Sequence, residues 1–133
     1  MQLVVIDSDI VIDHLRGHGH LLESMFELAS QKQIKIYLPS AVYTEIYSGQ
    51  ETKLAKKLDI VDAFMARFEF VGANEKISQM AGFLLRNYRH LDFGDAIVAA
   101  TCLSLNAKLA TRNVKDFEGI EGLRFFKINR NLS

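Results

Sequence analysis

The sequence lacks several features that would point to particular kinds of protein. Cys102 is its single cysteine, so an intrachain disulfide cannot form and the chain suits a reducing compartment. No apolar run approaches membrane-spanning length, and the N-terminus does not join a basic segment to a long apolar stretch as a secretory signal does. We therefore expect a cytoplasmic protein with no membrane partner.

An excess of charge of either sign is also absent. Sixteen Lys and Arg residues balance sixteen Asp and Glu residues, so net charge does not indicate a nucleic-acid or membrane partner. The chain has 133 residues, of which 49% are hydrophobic, and this is enough for one buried core. We expect residues 1–133 to form a single domain because no repeat, linker or low-complexity segment divides them.

Strand-like and helix-like segments alternate along the chain. Short apolar or alternating runs predict strands at 3–6, 34–38, 68–71, 107–111 and 123–128. Helical apolar spacing predicts helices at 9–16, 21–32, 40–49, 52–68, 74–88 and 93–106. Because such alternation is typical of parallel sheets, we predict an α/β fold with a mainly parallel central sheet of four to five strands flanked by helices.

Acidic side chains follow the predicted strands, at the end of the sheet where open parallel sheets bind ligands. Asp7 and Asp9 come directly after the first strand, and Glu45 lies about two turns into the helix after the second. Asp95 begins the helix that leads into the fourth strand, and Asp116 follows that strand. Acids from four separate segments are therefore expected to meet at one end of the sheet.

Most of these acids also have an ordinary structural explanation. Asp9 could simply cap its helix. Asp92 and Asp95 have the spacing of a loose capping arrangement, and so do Asn113 and Asp116. Taken one at a time, most of these side chains are more often structural than functional.

Two acids are harder to explain as helix caps. Asp7 leaves a buried strand directly, whereas Glu45, counted from Ser40 as the helix N-cap, lies past the capping position among apolar residues. Clustered carboxylates raise one another's pKa values, and a cation relieves that repulsion. Ligation by oxygen alone suits Mg²⁺ or Mn²⁺, and such ions commonly serve phosphoester hydrolysis.

Four segments, in this order and at this spacing, resemble PIN-domain ribonucleases, specifically the VapC-type toxins of bacterial and archaeal toxin–antitoxin pairs. They are "VVIDSDIVIDHLRG" (4–17), "LPSAVYTEIYSG" (38–49), "DAIVAATCLSLNAKLAT" (95–111) and "TRNVKDFEGIEGL" (111–123). Each segment alone is a weak signal, but the four together cover nearly the whole chain. The resemblance implies a PIN-like domain.

The resemblance also implies a site. Its four catalytic and metal-binding acids would be Asp7, Glu45, Asp95 and Asp116. Residues expected to support them, as neighbours of the metal or as hydrogen-bonding groups, are Asp9, Asn113, Ser8 and Thr111. Relatives often carry Asp where this chain has Asn113, so the choice between positions 113 and 116 for the fourth acid stays open, with Asp116 favoured.

The activity implied is metal-assisted hydrolysis of RNA phosphodiester bonds, leaving 5′-phosphate and 3′-hydroxyl ends, with transfer RNA as one candidate substrate. Mg²⁺ or Mn²⁺ would orient and acidify the attacking water. Three cations near the site are candidates for holding the RNA backbone, although each could equally be an ordinary solvated charge: Arg16, Arg112 and Lys115.

The partners implied are a VapB-like antitoxin, which would block the acidic pocket, and a second copy of the chain in a homodimer. The apolar helices 21–30 and 52–68, with Phe26, Leu54 and Phe64, could supply such surfaces. At their helical spacing these residues are more often plain core.

Alternatives remain at this stage. The stretch "VVIDSDIVI" also fits haloacid-dehalogenase-like phosphatases, with Asp7 as nucleophile and Asp9 as general acid, but the later acidic motif lacks its second acid. A receiver-like signalling domain would need an Asp after the central strand, where this chain has "GAN" (72–74). A non-catalytic PIN fold would lack a core acid. Asp13 has no counterpart in the motif and is expected to be a solvated helix residue.

Overall fold

The computed structural model describes residues 1–49 and 55–128, in which five strands alternate with six α-helices. The strands are β1 (Gln2–Ile6), β2 (Ile34–Pro39), β3 (Glu69–Val71), β4 (Lys108–Ala110) and β5 (Arg124–Phe125). The helices are α1 (Ser8–Leu15), α2 (Leu21–Ser30), α3 (Ser40–Tyr47), α4 (Ala55–Met65), α5 (Glu75–Asn87) and α6 (Phe93–Leu105). A 3₁₀ helix, Val114–Phe117, follows β4.

All five strands form one parallel sheet in the order β3-β2-β1-β4-β5. Strand β1 lies at the centre, where Val4 pairs with Ile36 of β2 and Val5 with Leu109 of β4. Val4, Val5 and Ile6 are completely buried, as the unbroken apolar run predicts for a strand covered on both faces. The predicted α/β fold with a mainly parallel sheet is confirmed.

Helix α6 packs closely because its side chains are small. Ala96, Ala99 and Ala100 are fully buried, and the helix contacts α3, α5 and the central strands. It ends at Asn106, whose φ of +54° is the left-handed conformation that commonly closes a helix. Within the described ranges, no helix is both long enough and apolar enough to cross a membrane.

Several predicted boundaries differ from the structure. Ser40 is the first residue of α3 rather than its N-cap, because Pro39 ends β2 in an extended conformation and the helix begins directly after it. Helix α1 likewise begins one residue earlier than predicted, since Asp7 rather than Asp9 caps it. The predicted helix at 52–68 is α4 in its described part, and residues 52–54 lie outside the described residues.

The apolar residues considered for a dimer surface belong largely to the core. Phe64 is 9% exposed, and Phe26 packs edge-on against it with 5.9 Å between ring centroids. The guanidinium of Arg67 lies over the Phe26 ring, with its central carbon 3.8 Å from the ring centroid. Leu54 lies outside the described residues.

Candidate functional site

The site lies where the sheet order reverses. From β1 the chain crosses to β2 on one side, whereas β4 lies on the other side, so the carboxyl ends of β1 and β4 border the crevice where such sheets bind ligands. Asp7 is the first residue after β1, and its backbone N–H donates to the carbonyl oxygen of Ala110 at 3.0 Å. The two strand ends are thereby joined at the crevice.

Two hydrogen bonds orient the Asp7 carboxylate. Its Oδ1 accepts from the backbone N–H of Ser8 at 2.8 Å, as the N-cap of α1, and its Oδ2 accepts from the hydroxyl of Thr111 at 2.8 Å. Asp7 is 8% exposed and Thr111 is 3% exposed. Ser8 and Thr111 therefore both hydrogen-bond to the principal acid, Ser8 through its backbone.

A cavity of about 450 Å³ opens beside Asp7. The structure places all four predicted acids in its wall, Asp7, Glu45, Asp95 and Asp116, together with Asp92, Asn113 and Ser8. The remaining lining residues are Ala41, Val42, Phe93, Gly94 and Val98. Among these lining residues there are five acids and no Lys, Arg or His, so no side chain in the wall offsets the negative charge.

Burial and mutual repulsion raise the pKa values of two of these acids. Burial raises the pKa of Asp7 to about 6, with the charges of Asp9 and Glu45 adding to the rise, while the hydrogen bonds from Thr111 and Ser8 oppose it. Burial also raises the pKa of Asp95 to about 7, and the repulsion comes first from Asp92, then from the other three acids of the wall. Electrostatic repulsion between the acids of the cavity therefore contributes to the raised pKa values.

The donor set of the cavity fits a hard divalent cation. Among the described residues, no three His, Cys, Asp or Glu side chains already stand as ligands around one point. The carboxylates of the acids line one cavity, and carboxylate oxygens are the ligands that Mg²⁺ and Mn²⁺ prefer. A cation there would also relieve the repulsion that raises the pKa of Asp95.

The Asp9 side chain binds the segment after β4 and does not face the cavity. Its Oδ1 accepts from the N–H of Ile10 at 2.9 Å, and its Oδ2 accepts from the backbone N–H of Arg112 at 2.9 Å. The side-chain amide of Asn113 also donates to this Oδ2, at 3.4 Å. Asp9 does not line the cavity: its Oδ1 is bound within α1, and its Oδ2 is bound to the segment after β4.

The prediction that Asp13 is a solvated residue is wrong. Its carboxylate accepts from Nη1 of Arg112 in an ion pair whose side chains are 29% and 31% exposed, respectively. Arg112 is therefore already paired. Arg16, at the end of α1, and Lys115, in the 3₁₀ helix, are exposed, and none of the three predicted RNA-binding cations lines the cavity.

The acid of the cavity wall that the sequence did not assign to the site is Asp92. Its Oδ1 accepts from the backbone N–H of Asp95 at 2.8 Å, so the predicted capping of α6 is confirmed, but its place in the cavity wall was not foreseen. The same spacing at Asn113 and Asp116 does not give a side-chain cap. There the N–H of Asp116 donates to the backbone oxygen of Asn113 at 3.0 Å, because the Asn113 side chain is turned toward Asp9.

A parallel α/β fold with an acidic crevice at the reversal of its sheet is found in known protein families, and we compared the chain with them. The chain matches the PIN domain over residues 4–123 and belongs to the PIN-domain family. The resemblance to VapC-type PIN domains is confirmed, because the chain is 31% identical to ribonuclease VapC19 of Mycobacterium tuberculosis over 118 residues, 85% of this chain and 90% of that protein. Ribonuclease VapC10 of the same organism is 29% identical over 126 residues, 92% of this chain and 91% of that protein.

Solved structures share the fold at lower identity. The structure of VapBC2 from Rickettsia felis bound to a DNA fragment from its promoter matches with a TM-score of 0.83 and 22% identity, over 96% of this chain and 100% of that one. DNA-bound VapBC from Salmonella typhimurium matches with a TM-score of 0.79 and 22% identity, over 95% and 98%. Membership of the PIN-domain family decides against the haloacid-dehalogenase and receiver alternatives, which have different folds.

Proposed function

We propose that the chain is a metal-dependent endoribonuclease and the toxin of a VapBC-type toxin–antitoxin pair, with residues 1–133 as one domain. The observation that carries the proposal is the cavity at the reversal of the sheet, whose wall holds five acids and no cationic side chain. A wall of this charge repels the RNA backbone unless a cation intervenes, and it suits metal-assisted attack on a phosphodiester. The ribonuclease relatives support the same reaction.

The residues that would hold Mg²⁺ or Mn²⁺ are Asp7, Glu45, Asp95 and Asp116. When bound, the ion supplies the positive charge that acidifies a water molecule and steadies the leaving 3′-oxygen, which yields 5′-phosphate and 3′-hydroxyl ends. The chain itself positions the acids. Asp7 is fixed by Ser8 and Thr111, and the other three approach from α3, α6 and the 3₁₀ helix.

Asp92 and Asn113 complete the polar wall without being assigned as ligands. Asp92 holds the first turn of α6, on which Asp95 lies, and Asn113 precedes the 3₁₀ helix that carries Asp116. Between Asn113 and Asp116 as the fourth acid, Asp116 is favoured because a carboxylate carries the charge that a divalent ion needs.

The proposed partners are RNA, with transfer RNA as a candidate, a VapB-like antitoxin and a second copy of the chain. Support for the antitoxin comes from the solved relatives, which are VapBC complexes. An antitoxin that inserts a cationic segment into the cavity would meet five acids that no side chain of the wall neutralises. For the homodimer, Phe64 is buried in the core and Phe26 packs against it, so these two rings are not the exposed apolar groups on which a contact surface would be built.

Purified protein free of antitoxin tests the proposal. We expect it to cleave RNA with Mg²⁺ or Mn²⁺, to stop when EDTA is added, and to leave 5′-phosphate ends that a ligase accepts. Asp95→Asn should abolish cleavage while circular dichroism stays unchanged. Asp59→Asn, on an exposed position of α4, is the matched control and should cleave normally. Equal cleavage by wild type and Asp95→Asn, or cleavage that persists in EDTA, would contradict the proposal.

A further inference from the structure

We propose that Arg112 is a positioning residue. Paired with Asp13 and bound through its backbone N–H to Asp9, it fixes the segment that carries Asp116 into the cavity instead of holding RNA directly. This inference rests on the proposed function, because it concerns how one acid of that site is placed. Asp9 and Asp13, which do not line the cavity, would then both hold the segment that carries Asp116.

The three acids of residues 4–17, Asp7, Asp9 and Asp13, all contact the same short segment after β4. Asp7 accepts a hydrogen bond from the hydroxyl of Thr111. Asp9 accepts the backbone N–H of Arg112, and Asp13 accepts from the guanidinium of the same residue. The first helical turns of α1 are therefore joined to residues 111–113 at three successive points, across a separation of about one hundred residues in the sequence.

From that segment, two hydrogen bonds donated by backbone N–H groups lead to Asp116. The N–H of Asn113 donates to the hydroxyl oxygen of Thr111 at 3.0 Å, and the N–H of Asp116 donates to the carbonyl oxygen of Asn113 at 3.0 Å. Residues 112–116 are otherwise exposed. The flanking residues Thr111 and Phe117 are buried, and Phe117 anchors the end of the segment. The hydrogen bonds and the ion pair hold its exposed start and, together with Phe117, determine where the Asp116 carboxylate lies.

The surroundings of Arg112 favour this role over a direct contact with phosphate. Its guanidinium is bound to Asp13 and both side chains are about two-thirds covered, so the pair is less screened by solvent than a fully exposed one. An Arg whose charge is offset by an adjacent carboxylate attracts a phosphate weakly. Arg112 also does not line the cavity.

A double-mutant cycle tests the inference in the full chain. Arg112→Gln, Asp13→Asn and the double variant are compared with wild type for Mn²⁺ affinity, and for kcat and KM of RNA cleavage. We expect each single variant to lose about threefold to tenfold in Mn²⁺ affinity and in kcat, with KM within about twofold of wild type. The double variant should be no worse than either single one. The reversed pair, Asp13→Arg with Arg112→Asp, should recover part of the loss.

Amide hydrogen exchange in the metal-free protein provides a readout that needs neither metal nor RNA. The N–H groups of Arg112 and Asp116 should exchange faster in Asp13→Asn than in wild type, by about tenfold, because the segment is released. Arg89→Gln and Asp59→Asn change the same charges at exposed positions and should leave exchange, Mn²⁺ affinity and cleavage unaltered.

A direct RNA contact would give a different pattern. Arg112→Gln would then raise KM and weaken its dependence on salt, whereas Asp13→Asn would leave cleavage unchanged or improve it. That pattern, or unchanged amide exchange in Asp13→Asn, overturns the inference. If wild type cleaves no RNA, the proposed function fails, but the exchange rates still decide whether Asp13 and Arg112 fix the segment.

Discussion

Thr111 donates its hydroxyl to Asp7 across the junction of β4 and β1, at 2.8 Å, between side chains that are both buried and lie 104 residues apart in the sequence. The bond stabilises a carboxylate that burial would otherwise disfavour, and it opposes the rise in the Asp7 pKa. It also sets which way the Asp7 oxygens face at the cavity.

Removing that hydroxyl should therefore disturb both stability and activity. Thr111→Val leaves Oδ2 of Asp7 and the N–H of Asn113 without their partner, so we expect a loss of about 1–2 kcal/mol in the free energy of unfolding. The pKa of Asp7 should rise above about 6, and RNA cleavage at neutral pH should fall. Urea unfolding and NMR titration measure the first two effects. Thr111→Ser keeps the hydroxyl and is the control; a Val variant as stable and active as the Ser variant would refute the role of the bond.

The stability of the metal-free protein should depend on the charge of Asp95. Its pKa is about 7 in the folded chain against the ordinary 3.8, so between these values the folded state binds more protons than the unfolded state. This group therefore lowers stability as pH rises from about 4 to about 7. We compare the free energy of unfolding of Asp95→Asn with that of wild type at each pH. The variant's value minus the wild-type value should be larger at pH 8 than at pH 4.5, by on the order of 1–2 kcal/mol after allowing for solvent screening. Urea unfolding of both proteins at the two pH values provides the measurement, and a difference that does not change with pH would disagree with the raised pKa.

Asp92 has two effects that substitution can separate. As the cap of α6 it accepts the N–H of Asp95, and as a charge it is the main source of repulsion on the Asp95 carboxylate. Asp92→Ala removes both and should cost about 1 kcal/mol of stability. Asp92→Asn keeps a capping oxygen, so stability should change little while the pKa of Asp95 falls, which NMR titration reports. An unchanged Asp95 pKa in Asp92→Asn would mean that the two charges do not interact.

Much of the fold follows from local patterns in the sequence. The unbroken apolar run of β1 can only be buried on both faces, and parallel strands bring the acids that follow them to one edge. For this reason acids from several segments could be expected to meet at one end of the sheet, and the resemblance to VapC-type PIN domains selected Asp7, Glu45, Asp95 and Asp116 among them. The helix of small residues, 93–106, likewise indicates a helix that packs tightly against others.

The errors concern side chains whose partners are distant in the sequence. Asp13 has the local pattern of an exposed helix residue, and only the return of the chain at β4 brings Arg112 to it, 99 residues later. Asp9 has the pattern of a helix cap, but Asp7 takes that position and Asp9 binds the segment after β4. Such contacts depend on strand order, which propensity does not encode.

Calorimetric titration of the metal-free protein with Mn²⁺, at pH 8 and at pH 5.5, tests the central claim most directly. The claim predicts tighter binding at pH 8, because the ligating carboxylates must lose their protons, and a loss of at least about tenfold in affinity in Asp7→Asn and Asp95→Asn. Asp59→Asn should bind as wild type does. Mn²⁺ binding that is equally strong in wild type, Asp7→Asn and Asp95→Asn would show that the cavity is not the metal site and would contradict the account.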